Sequence, residues 1–176
     1  MELGLIHIYC GDGKGKTTAA MGLGMRAAGR GKKVLLTQFL KDNETGELNS
    51  IEKLGVNFEV FKGTPVMKFF KFMSPEEQME IKKEHEERFS KVTEKAIDEN
   101  VDLLILDEII ASINLELVPL NKVIVFLQNR PKGLEVVLTG RNPHEKLVEI
   151  ADYVSEIRAV KHPYEKGINS RIGVEK

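Results

Sequence analysis

The sequence predicts an α/β fold, a mainly parallel sheet of about six strands lying between two layers of helices. Short β-rich apolar runs alternate with helical patterns along all 176 residues. The stretches between successive runs are long enough to cross over a sheet and start the next strand parallel to the last. One run, "LLILDEI" from Leu103 to Ile109, is apolar until its acid pair, as a strand covered on both faces should be. With no repeat, linker or low-complexity segment in the sequence, residues 1–176 are expected to form one domain.

Leu5 to Tyr9 is the first strand, and a glycine-rich loop follows it at once. A helix of small residues, "TTAAMGLGMRAAGRG", starts at about Lys16 and ends at Gly29 or Gly31, a plausible cap. The second and third strands are "KKVLLTQFL" and "VNFEVF". Ser74, Pro75 and Glu77 supply an N-cap, a first-position proline and a capping-box glutamate for a long helix reaching about Glu99. Its apolar side is expected to carry Met79, Phe89, Val92, Ala96 and Ile97. Its charges, Glu80, Lys82, Lys83, Glu84, Glu86, Glu87 and Arg88, read as a solvated face. After the fourth strand, Leu120, Val123, Ile124, Phe126 and Leu127 mark a helix closed by "RPKG". "LEVVLTG" is the fifth strand, Asn142 and Pro143 open a short helix, and "YVSEIRAV" is the sixth strand.

The composition narrows the function. Lys plus Arg is 26 and Asp plus Glu is 27, a net charge of −1. That balance argues against a broad nucleic-acid or anionic-membrane surface. One cysteine cannot form an internal disulfide and suits a reducing cytoplasm. The N-terminus lacks a signal-peptide pattern, and no apolar run approaches the roughly 20 residues of a membrane helix. A cytoplasmic protein with no membrane or nucleic-acid partner is expected.

The glycine loop reads Gly11-Asp12-Gly13-Lys14-Gly15-Lys16-Thr17-Thr18. It is one residue short of the usual G-x-x-x-x-G-K-[ST] phosphate loop, whose first glycine would fall at Cys10. Three glycines in five positions let successive N–H groups turn inward as an anion nest, and the next helix points its dipole there. Lys16 adds a mobile charge for phosphate oxygens, Lys14 adds another, and Thr17 offers a hydroxyl to Mg²⁺. The fourth strand brings Asp107 and Glu108 to the carboxyl edge, where ligands of open α/β sheets bind. Beside the loop they read as Mg²⁺ ligands, direct or through water. Arg141, after Thr139 and Gly140 at the end of another strand, is placed to clamp a phosphate.

With these pieces in place, the chain resembles the P-loop type of ATP:cob(I)alamin (corrinoid) adenosyltransferase. The matching segments are "GDGKGKTTAAMGLGMRAAGRGKKV", "TQFLK" with "TGE", "LLILDEI", "NRP" and the block from "EVVLTGRNPHEK" to "SRIGVEK". The shortened loop is a hallmark of that family, and the terminal block is the more specific half. The resemblance implies a RecA-like P-loop three-layer fold and an unusual use of ATP. The Co(I) of a corrinoid, cobalamin or cobyrinic acid a,c-diamide, attacks the ribose 5′ carbon, and triphosphate leaves. It implies ATP bound in the reversed sense, Mg²⁺ (or Mn²⁺) at Thr17 and Glu108, a reductant such as a flavoprotein, and a homodimer. Lys16 and Glu108 are then the residues expected to act in catalysis. Residues 11–18, Arg26 and Arg141 would bind the nucleotide, with a surface role for Arg26 also open.

Two departures stand beside this resemblance. The family often has an N-terminal extension, whereas this sequence starts directly at the first strand. The corrinoid-facing aromatic loop would fall in "FKGTPVMKFFKFMSPEE", which lacks tryptophan. Phe69, Phe70 and Phe72 either form an apolar face for the corrinoid or belong to the core. Cys10 is expected to pack as a small apolar group. His7, His85, His144 and His162 show no metal-ligand spacing. Lys161-His162-Pro163 has either a loop-forming or a substrate-contacting role.

Two rivals come from other classes. One is a RecA-like ATP-hydrolysing protein with Glu108 activating water, and the other a non-catalytic ATP-binding regulator. A guanine switch fits poorly, because Asn121-Lys122-Val123-Ile124 has no acid where an N-K-x-D motif needs one.

Overall fold

The structure is a computed structural model and describes residues 3–42, 44–55, 57–68 and 70–174. Six parallel strands form one sheet: β1 (Ile6–Cys10), β2 (Val34–Gln38), β3 (Phe58–Val60), β4 (Leu103–Asp107), β5 (Glu135–Thr139) and β6 (Tyr153–Glu156). Their spatial order is β3-β2-β4-β5-β1-β6, and every pairing is parallel. The helices are α1 (Lys16–Ala28), α2 (Gly46–Leu54), α3 (Pro75–Asp98), α4 (Ile109–Asn114), α5 (Leu120–Asn129) and α6 (Glu145–Ile150). This is the three-layer α/β arrangement of the RecA-like P-loop class. None of the described helices is long and apolar enough to cross a membrane.

Strand alternation divides the core into two. Leu104, Leu106, Val136, Leu138, Ile6 and Ile8 pack on one face with Phe89, Val92 and Ala96 of α3 and Val123 and Leu127 of α5. Leu103, Ile105, Val137, Val34 and Leu36 pack on the other with Ala20 and Met21 of α1. Each large aliphatic side chain buried this way contributes roughly 1.5–3 kcal/mol. Cys10 joins the first cluster, and burial pushes its thiol pKa up.

The caps show why the helices begin where they do. Ser74 and Glu77 form the expected capping box, with Pro75 in the first turn of α3. The N-cap of α6 is His144, whose ring accepts from Lys146 N–H. Asn142 instead takes φ 52° in the turn before it, so it does not start that helix.

Four sequence-based expectations are corrected here. α2 and α4 lie where no helix was expected. Strand β4 stops at Asp107 because Glu108 turns to φ 60°, and the apolar Ile109 and Ile110 that follow are helical core positions. The sixth strand ends at Glu156, four residues early, and its residues are exposed at the sheet edge. On α3, Met79 and Ile97 are exposed (70% and 42%), while Arg88 is 2% exposed. The buried stripe is His85, Arg88, Phe89, Val92, Thr93 and Ala96, a 3–4 spacing that contains two charge-bearing types. They are buried because both hydrogen-bond backbone groups that other elements leave exposed.

Candidate active site

The carboxyl edges of β1, β2, β4 and β5 converge on one place. From β1 comes the glycine loop, whose Gly15 is the N-cap of α1 at φ 118°, with open space around its Cβ position. The first turn of α1 follows with no side-chain cap, so its leading N–H groups and dipole are available to an anion. The Lys16 side chain is buried and donates to Gly13 O at 2.7 Å. Burial, and then the charge of Arg141, lower its pKa, while Glu108 and Asp12 oppose the shift.

The short loop is braced by the C-terminal block. Beyond β6, Ile157 N–H donates to Cys10 O (2.8 Å) and Ile157 O accepts from Gly13 N–H (2.8 Å). Asp12 accepts Ala159 N–H at 3.1 Å, the first cause of its lowered pKa. A Cβ on Gly11 would stand 2.3 Å from Ile157 O, and one on Gly13 would stand 2.8 Å from the Ile157 and Arg158 backbone. Both glycines are therefore needed for close approach. The Gly13 N–H faces Ile157, a correction to an inward-turning nest at that residue. The physical reason is that the β1–β6 pairing carries on past Cys10 and Glu156, which sets the Ile157 carbonyl against that N–H.

Asp107, fully buried, is the hub of the site. Its Oδ1 accepts from Thr17 Oγ1 (2.9 Å) and Thr139 Oγ1 (2.7 Å). Its Oδ2 accepts from Gln38 Nε2 (3.0 Å) and Lys41 Nζ (2.8 Å). Lys41 Nζ also stands 3.4 Å from Thr17 Oγ1. Thr45 of the "TGE" segment donates to Gln38 Oε1 at 3.2 Å. Reasoning from sequence missed the roles of Gln38, Lys41 and Thr139. The signal available was "TQFLK" at the end of β2, in register with β4 through the Gln38–Asp107 pair.

Glu108 is half-buried next to this hub, and its N–H donates to Thr139 Oγ1 at 2.8 Å. Burial first, then Asp107, raise its carboxyl pKa, and Lys41, Lys16 and Arg141 pull it back. Arg141 is exposed close enough for its charge to act on Lys16, Glu108 and Asp12. Lys14 and Thr18 flank the same turn. Arg26 lies elsewhere: it is in the exposed last turn of α1. Ten residues of helix place it about 15 Å along the axis from Lys16.

The segment between β3 and α3 forms the neighbouring wall. Phe70 is half-buried and Phe72 is 62% exposed, with the Lys71 ammonium 4.8 Å above its ring. Neither belongs to a core cluster. Phe69 lies outside the described residues. A cleft of about 390 Å³ opens between this segment and α3, floored by Val66, Met67, Met73 and Ile81.

The chain matches the family described as ATP:corrinoid adenosyltransferase BtuR/CobO/CobP over residues 2–175. It is 36% identical to a corrinoid adenosyltransferase of Escherichia coli K12, covering 99% of this chain and 86% of that one. It is 34% identical to the corrinoid adenosyltransferase CobA of Salmonella typhimurium, with the same coverage of both chains. A corrinoid adenosyltransferase of Sinorhizobium is 34% identical, covering 99% of this chain and 81% of its own.

Proposed function

The chain belongs to the ATP:corrinoid adenosyltransferase family, and from that premise we propose which of its residues carry the reaction. It is a transferase: the adenosyl group of ATP passes to the Co(I) of a corrinoid. The cobalt electron pair forms the bond to C5′, the C5′–O bond breaks, and triphosphate leaves with the electron pair of that broken bond. The protein needs no nucleophile of its own, because the substrate brings one. Its work is to hold C5′ in line with cobalt and to neutralise charge on the leaving group.

Lys16, Arg141 and the first-turn N–H groups of α1 take the triphosphate. Lys16 is suited to this because it is buried and, among the described residues, its ammonium is bonded only to a backbone carbonyl. Lys14 and Thr18 complete the phosphate-facing turn, while Gly11, Asp12 and Gly13 keep its shape. The oxygens of Thr17, Asp107 and Glu108 suit a hard cation, Mg²⁺ or Mn²⁺. Among the described residues no three His, Cys, Asp or Glu side chains gather as a metal cage. A cation here would therefore complete its shell with phosphate oxygens and water, as Mg²⁺ ordinarily does. When bound, such an ion supplies positive charge to the departing triphosphate. Glu108, unbonded at its carboxylate among the described residues, orients that ion or its water.

The corrinoid is proposed to lie against Phe70, Phe72 and Met67, apolar groups left outside the core. Electrons for Co(I) are proposed to come from a separate reductant such as a flavoprotein. Exposed Tyr153 and Val154 on edge strand β6 support a homodimer. One cytoplasmic nucleotide-binding domain completes the reading.

The single observation carrying the residue assignment is Lys16 buried at an uncapped helix start beside the Asp107 hub. Anaerobic incubation with ATP, Mg²⁺ and cob(I)alamin tests it. Adenosylcobalamin should form with equimolar triphosphate, and Lys16→Ala should lower the rate by about a hundredfold or more while the fold is kept. Near-normal turnover in that variant would sink the assignment.

A further inference from the structure

The Asp107 carboxylate has all four of its acceptor positions filled. Three of the donors are fixed: Thr17 on the first turn of α1, and Gln38 and Thr139 on strands. The fourth, Lys41, is the charged one, and it reaches in on a flexible four-carbon stem from the loop after β2. Its ammonium stands 2.8 Å from Asp107 Oδ2 and 3.4 Å from Thr17 Oγ1. Those are the two oxygens between which a divalent cation would be held. The Lys41 side chain is only 22% exposed, and that of Asp107 is wholly buried.

We propose that Lys41 is a resident counter-cation. It fills the cation subsite between Thr17 and Asp107 in the nucleotide-free enzyme and gives it up only when metal arrives together with triphosphate. A buried carboxylate without a counter-charge is strongly disfavoured even when hydrogen-bonded, so the ammonium offsets the Asp107 charge. A free divalent ion would have to displace a charge already paired and would leave the ammonium stranded beside it. When ATP brings the ion, the displaced ammonium finds phosphate oxygens within reach of its stem. Metal therefore enters as the ATP complex and binds poorly by itself. The inference rests on the reading of Thr17 and Asp107 as the metal subsite.

Mn²⁺ binding, followed by water-proton relaxation and without corrinoid, tests it independently of turnover. Wild type should take up Mn²⁺ with ATP and only weakly without it. Lys41→Gln should bind Mn²⁺ alone about tenfold more tightly or better, as expected for removing a cation at contact distance. Lys41→Arg, which keeps the charge, should behave as wild type. Lys41→Met repeats the neutral test should the glutamine variant not fold. Equal, weak Mn²⁺ binding by wild type and a folded neutral variant, with normal uptake in the presence of ATP, would overturn the role of Lys41 and leave the subsite reading intact. No protein-bound Mn²⁺ in wild type even with ATP would remove the subsite and the proposal with it. A lower Tm alone, without a change in metal affinity, would mark Lys41 as a structural ion pair and also overturn it.

Discussion

Asp107 is held from four directions, by Thr17, Gln38, Lys41 and Thr139, in a site where it is wholly shielded from water. The neighbouring wall, residues 61–68 and 70–73, makes its hydrogen bonds at more exposed positions. Thr64 O accepts from Arg88 at 3.0 Å, Thr64 N–H donates to Glu84 at 3.0 Å, and Val66 N–H donates to Lys41 O at 3.0 Å. The first region is made of strand ends that the sheet fixes before any ligand binds. The second has a single 3-10 turn of its own among the described residues, Phe70–Phe72, and is tied to α3, to β2 and to Lys41 O. The contrast fits the two substrates: a triphosphate needs fixed charge, and a large planar corrinoid needs a surface that can adjust. Arg88 joins the regions, since its other nitrogens reach Gln38 O (2.6 Å) and Glu84 (2.8 Å).

The largest expected effect lies in the fixed region. Asp107→Ala leaves the Lys41 ammonium and three polar groups without their acceptor and should cost about 3–5 kcal/mol in chemical denaturation. A loss below about 1 kcal/mol, no more than one ordinary hydrogen bond, would mean that Asp107 does not brace the site.

Arg88→Ala should cost less, about 2–3 kcal/mol, because one buried charged donor is lost from two carbonyls and a carboxylate. Its kinetic signature should be uneven, with KM for the corrinoid rising more than KM for ATP. Equal rises in both would erase the distinction between the regions. Gly63 belongs to the same contact, since a Cβ there would stand within the Arg88 guanidinium.

The smallest effect concerns Glu108. Its folded pKa is raised by burial and by Asp107, so the folded state binds more protons than the unfolded chain. Stability contributed by this group should fall as pH rises from the ordinary glutamate value of 4.5 through the raised one. Glu108→Gln should flatten that slope in thermal melts taken across this range. An unchanged slope would show that the Glu108 environment does not disfavour its charge.

Much of this molecule could be read directly from the chain. Alternation of strand and helix signals, the glycine loop, the acid pair ending β4 and the capping box at Ser74 are local patterns. Short-range sterics and hydrogen bonds decide them wherever they occur. The order of the strands brings distant residues into contact, and no local pattern encodes it. Gln38 lies in the strand the sequence predicts and Lys41 just beyond it, but only the pairing of β2 with β4 sets both against Asp107. Arg88 reads as a solvated charge, and His85 as a residue with no assigned role, because the carbonyl and N–H groups they satisfy belong to other segments. Asp12, Gly13 and Ile157 are some 145 residues apart in sequence, and only the parallel pairing of β1 with β6 makes them one brace. The six strands, the long helix α3 and the phosphate loop are legible in the chain because each is settled within a few turns, whereas α2 and α4 are not. The place of Asp107 at the centre of the site, with Lys41 as its counter-charge, comes from long-range packing. That pairing exists only where four strand ends, β1, β2, β4 and β5, meet.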